Sequence, residues 1–191
     1  MSIEPEASFT DAARAPERAA APDRSVRPAL PGDAPAIGRI QAAALRAAFG
    51  AGVEVEGAEL ATHWEKTLSA PAPAGCSTLV ALHASQVAGF ALVVPAHALD
   101  LPGERRIEAG AEIAELLVDP DFVRCGHASR LLQAIADTCG APTLRAWARP
   151  DDEARTRLLE SVGFAPAGIR RSFEAGGPVL VEHLWWAAIQ D

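Results

Sequence analysis

Residues 114–137 read AELLVDPDFVRCGHASRLLQAIAD. An apolar run ends at Val118, Asp119-Pro120 breaks it, and a short loop leads to Gly126. From there Leu131, Leu132 and Ile135 recur at helical spacing, so the segment predicts a strand, a turn and an amphipathic helix. The use of such a unit is anion binding. A helix N-terminus presents unpaired N–H groups and a partial positive charge, and small residues such as Gly126 and Ala128 let a phosphate approach the backbone. Arg124 adds a cation at the mouth and Ser129 a hydroxyl. Taken alone, a glycine before a helix is also an ordinary turn residue. Neither the Walker phosphate loop nor the dinucleotide-binding glycine pattern occurs in the chain.

Outward from this unit, Val26–Leu30 reads as a short strand, Asp33 as a helix cap, and Ala34–Phe49 as an Ala-rich helix with Ile37, Ile40, Ala44 and Leu45 in phase. Ala58–Leu68 is a second helix. Thr78–His83 and Gln86–Pro95 read as a hairpin, 96–108 as a polar connection, and Ala111–Val118 as the strand before the turn. Downstream come a helix (Gly126–Thr138), a strand (Thr143–Ala148), a helix (Asp151–Val162), and the strands Phe164–Glu174 and Pro178–Ala187 joined at Gly176-Gly177. The sum is an α+β domain over 26–191 with a mixed sheet. Residues 1–25 carry Pro, Ala and charge with almost no aliphatic side chains, which predicts a disordered tail.

The chain has 191 residues, with 17 Lys and Arg against 25 Asp and Glu and a formal charge of −8. This balance argues against nucleic acid as a partner. Without an apolar run of about 18–20 residues or a signal-peptide core, the expectation is a cytoplasmic protein away from membranes. Cys76, Cys125 and Cys139 are odd in number and widely spaced, so neither a disulfide framework nor a zinc site is indicated and no metal is expected. There is no Tyr or Asn, and Lys66 is the lone lysine. We read this bias as the imprint of a GC-rich genome.

The central segment resembles the GNAT superfamily of N-acetyltransferases, in which a strand ending V-x-P is followed by Q/R-x-x-G-x-G/A at a helix start. Val118, Asp119 and Pro120 match the strand end; Gly126, His127 and Ala128 match the G-x-G/A core. Val123 stands where the family has Gln or Arg, with Arg124 immediately after. VRPALPGDAPAI, QVAGFALVV and DDEARTRLLESVGFAPAG resemble further family segments in the same order, so the likeness spans about 26–187.

The resemblance implies an α/β sandwich whose mostly antiparallel sheet is splayed at an acyl-CoA site and flanked by helices. Acetyl-CoA would be the co-substrate, held at Val123, Arg124, Gly126, His127, Ala128, Ser129 and Asp152, with its thioester facing the backbone at Leu117 and Val118. Glu112 and Glu115 are the candidate bases, each also readable as a solvated strand glutamate. Glu115 shares a face with Glu112 only if the strand is bulged. The family's usual acid, a Tyr, would fall at Leu159, with Ser161 as a weak substitute. Asp152 stands where Asn is frequent. His127 itself reads as a capping or solvent-facing residue. His183, Trp185, His63 and Trp64 are acceptor-pocket candidates more readily explained by packing, and Arg170-Arg171 as a solvated pair that would favour an acidic acceptor. The expected function is acetyl transfer to a primary amine of a small molecule or peptide by a monomer or homodimer. The alternative is a non-catalytic acyl-CoA-binding regulatory module, and a third reading keeps only the fold.

Overall fold

Consecutive buried residues along 79–81 and 87–91 mark two strands covered on both faces of one sheet. The computed structural model describes residues 24–50, 54–101, 103, 105–174 and 179–189. Residues 1–23 of the expected tail and the Gly176-Gly177 turn lie outside these. In chain order the elements are β1 (Val26–Pro28), α1 (Ala34–Phe49), α2 (Gly57–Ser69), β2 (Ser77–His83), β3 (Gln86–Ala96), β4 (Leu99–Leu101) and β5 (Arg105–Ile107). Then follow β6 (Gly110–Val118), α3 (His127–Thr138), β7 (Thr143–Ala148), α4 (Glu153–Ser161), β8 (Ala165–Glu174) and β9 (Val179–Ala188). A seven-stranded sheet runs β1-β2-β3-β6-β7-β9-β8, antiparallel except where β6 meets β7.

Helices cover both faces. On one, Ile37 and Ile40 of α1 and Trp64 of α2 pack on Val80, Val87 and Phe90. Trp64 meets Phe90 edge to face at 5.3 Å, and burying a ring such as Phe90 stabilises by roughly 2–3 kcal/mol. On the other face, Leu131, Leu132 and Ile135 of α3 and Leu159 of α4 pack on Ala91, Val93, Ile113 and Leu116. Gly38 lets α1 and α2 cross closely, since a Cβ there would lie 2.5 Å from the Ala61 nitrogen and 2.6 Å from the Gly57 carbonyl oxygen.

Two expectations change. The connection over 96–108 contains the β4–β5 hairpin, whose Leu101 and Ile107 are buried against Ala167 and Leu184. Buried Arg145 pins this excursion by donating to the carbonyls of His97 and Glu108 at 2.5 and 3.1 Å. Three-residue strands give too short a period to show in the sequence. β1 also ends at Pro28, before the predicted Leu30, because Pro31 opens a 3₁₀ turn. No helix among the described residues is long and apolar enough to cross a membrane.

Candidate active site

The sheet opens between its two parallel strands. β6 and β7 pair only from Ala111 to Ile113 against Leu144 to Ala146. Beyond that, β6 stays with β3 and β7 stays with β9, so the two diverge. A bulge adds to this: Leu92 pairs with Glu115 and Val93 with Ile113, leaving Ala114 unpaired. Bulges bend the strand that carries them. The bulge also puts Glu112 and Glu115 on one face, the condition under which both could serve one site.

Main-chain direction along β6 follows from its bonds. The Asp119 amide donates to Ala88 on β3, and the Leu117 carbonyl lies toward Gly89 of the same strand. By strand alternation, Leu116 and Val118 turn their main chains to the opening. Leu116 confirms this, since its carbonyl accepts from Arg155 Nη1 at 3.1 Å across the gap. Of the expected pair, Val118 therefore faces the split, whereas Leu117 pairs with β3 and contributes its side chain to the cleft wall.

A cleft of about 600 Å³ lies on the α1 side of this opening. Its walls are the C-terminal half of α1 from Gln41 to Phe49, Ala114, Glu115 and Leu117 of β6, and charged residues from β7 to α4 and from β8 and β9. Glu115 lines the cleft. Gln41 Nε2 donates to it at 3.4 Å, and the indole N–H of Trp64 fixes that amide by donating to Gln41 Oε1 at 2.8 Å. Burial, the largest influence, raises the Glu115 carboxyl above the usual range, with the Gln41 bond and the Arg155 charge opposing it. Glu112 lies 3.9 Å from Arg171, which also pairs with Glu182 at 2.7 Å and stacks 4.2 Å over Trp147.

The turn sits at the end of β6. Buried Asp119 anchors it: one oxygen accepts from the Asp121 amide at 3.0 Å and the other from Arg39 of α1 at 2.5 Å. Arg124 and Gly126 both take positive φ, 62° and 78°. Paired with their neighbours, such residues curl successive N–H groups into a concave anion nest. Val123, Arg124, Gly126 and Ser129 are exposed and Ala128 half-exposed, so the nest is open to a ligand. Val123, 56% exposed, offers an apolar side chain there. The reading of His127 as a capping or solvent-facing residue is corrected. Its ring is 1% exposed, 3.2 Å from His83, leaving its backbone amide for an anion. Burial chiefly, then His83, Arg130 and Arg24, lower the pKa of this imidazole.

Asp152 caps α4 by accepting from the Arg155 amide at 3.0 Å, which an Asn would do equally well. Leu159 is fully buried in the core. Ser161 is exposed and donates to the Leu158 carbonyl at 2.7 Å, away from the cleft walls. Trp185 is core and His183 and His63 are exposed; none lines the cleft. Arg155, and the joining of Arg171 to Glu182 and Trp147 in place of the solvated pair expected with Arg170, escape sequence reading, because their meaning lies in which strands come together. An Arg inside an otherwise polar helix face carries no mark of burial.

Residues 42–164 match the model of the acetyltransferase (GNAT) family. The chain belongs to the GNAT acetyltransferase family. Solved structures agree in fold. A ribosomal-protein-alanine N-acetyltransferase from Brucella melitensis is 21% identical, with a TM-score of 0.66 over 86% of this chain and 99% of that one. An N-acetyltransferase from Staphylococcus aureus is 20% identical, with a TM-score of 0.67 over 88% and 99%. A phosphinothricin acetyltransferase from Sinorhizobium meliloti, solved with acetyl-CoA, is 18% identical, with a TM-score of 0.64 over 87% and 88%. Comparison with curated proteins finds no match. The opened sheet is thus that of a GNAT acetyltransferase: an α+β fold with a mixed sheet between helices.

Proposed function

We propose that this GNAT protein transfers an acetyl group from acetyl-CoA to a primary amine of a small molecule or peptide. The observation that carries the reading is one juxtaposition. The anion nest at Arg124–Ser129 and the unpaired edge of β6 adjoin at one end of the sheet, and a carboxylate with a raised pKa faces the cleft beside them. Acetyl-CoA supplies the activated acyl group as a thioester. The amides of Arg124, Gly126, His127, Ala128 and Ser129 would hold its pyrophosphate, and the open edge of β6 at Val118 its extended arm.

Glu115 is the base. A carboxylate whose pKa is raised by burial is a stronger base toward an ammonium, directly or through a water. Gln41 orients it, and Trp64 orients Gln41. Glu112, on the same face but tied to Arg171, is the secondary candidate. Arg155 takes the place of the missing phenol: its guanidinium lies in the split and supplies positive charge where the thiol departs. A thiolate with a pKa of about 8.5 leaves without full protonation.

Two observations favour the non-catalytic acyl-CoA-binding reading. Arg155 occupies the Leu116 carbonyl in the split, and the position of the family's acid is a core leucine. Thiol release from acetyl-CoA over a broad amine panel, in wild type and Glu115→Gln, separates the two. Turnover that falls about 10²-fold or more in the variant supports the enzyme. Acetyl-CoA binding with equal background release from both proteins supports the binding module.

A further inference from the structure

Beside the nest, three metal-ligating side chains converge, one buried and two half-exposed. His83 ends β2, Cys125 precedes Gly126 in the turn, and His127 opens α3. One ring nitrogen from each histidine and the Cys125 thiol lie within 4.8 Å of one another. His83 Nδ1 is 3.2 Å from His127 Nε2, with the rings 68° apart. Phe122 closes the site, its ring 4.9 Å from that of His83 and 6.2 Å from that of His127. His127 is buried, and its Nδ1 has no hydrogen-bond partner. Acetyl transfer as described uses none of these three side chains.

We infer that His83, Cys125 and His127 form a zinc site beside the anion nest. Two donors of a tetrahedral zinc, at about 2.0–2.1 Å for imidazole and 2.3 Å for thiolate, stand roughly 3.3–3.6 Å apart; the imidazole nitrogens are 3.2 Å apart and the thiol is within 4.8 Å of both. A hydrogen bond between the imidazoles accounts for one pair of nitrogens but gives the thiol no part. Two imidazoles and one thiolate match the borderline softness of zinc, with the fourth position left for water. Zinc would tie the turn and the start of α3 to the end of β2. One thiolate leaves the ion a net positive charge beside the amides that face the anion, so zinc and acetyl-CoA strengthen each other's binding. This coupling rests on the nest being the acetyl-CoA site; the metal site itself does not.

Cobalt(II) titration of the metal-free full chain, without a histidine tag, tests the site. A thiolate-to-cobalt charge-transfer band should saturate at one equivalent and vanish on adding zinc. Cys125→Ser should abolish it, and His83→Gln should weaken binding at least about tenfold. Both positions are half-exposed, so these variants are chosen in preference to buried His127. Cys76→Ser and Cys139→Ser should keep the band. Absence of the band, or its persistence in Cys125→Ser, overturns the site. A second measurement, acetyl-CoA affinity with zinc and after chelation, should show tighter binding with zinc. Equal affinity would overturn the coupling while the cobalt result stands on its own.

Discussion

Glu115 concentrates the chemistry of the cleft in one side chain, and its environment fixes the sign of its effects. Its carboxyl holds a proton more tightly folded than unfolded, because burial outweighs the Gln41 bond and the nearby arginines. Its contribution to stability is therefore present below the unfolded pKa and lost as pH rises through the folded one. Glu115→Gln, neutral throughout, should melt above wild type in alkaline buffer, with the gap closing in acid. In the same variant kcat should fall about 10²-fold or more and lose the acid limb that wild type shows as Glu115 protonates. Opposite signs for stability and turnover distinguish a desolvated base from a structural carboxylate. Arg155 yields a complementary test. Arg155→Met should lower kcat by about 10²-fold more than it changes the KM for the amine, and Arg155→Lys should recover part of the loss.

At the scale of elements, the strand–turn–helix unit was legible because each part carries its own sequence signal. Asp119-Pro120 stops the strand, Gly126 supplies the positive φ, and α3 shows its buried face at Leu131, Leu132 and Ile135. Gly126→Ala should weaken acetyl-CoA binding through the strained φ, seen as a raised KM with kcat little changed. The bulge at Ala114 could be stated only as a condition, since an unpaired residue is defined by its partner strand. His83 and His127 are likewise 44 residues apart, so no spacing rule could join them to Cys125. Arg155 stayed hidden because its burial depends on β6 and β7 diverging. The Gly38 crossing makes a separate prediction about the cleft wall. Gly38→Val should force α1 off α2 and cost about 1–3 kcal/mol, measured as a lower denaturant midpoint, and α1 would carry Gln41 away from Glu115.

For the molecule as a whole, two helical layers close the sheet on both faces and leave it open at one seam. The carboxylate lies on β6 and the anion nest in the turn that follows β6, and Asp119 ties that turn to α1 through Arg39. Ligand entering the seam would therefore touch α1, the sheet and α3 together and should stabilise the domain as a unit. The most direct measurement is the melting temperature of the full chain against acetyl-CoA concentration. A ligand that binds only the native state adds about 2.7 kcal/mol at one hundred times its dissociation constant. The melting temperature should rise with the logarithm of acetyl-CoA concentration, and rise less in Gly126→Ala. An unchanged melting temperature at saturating acetyl-CoA would contradict it.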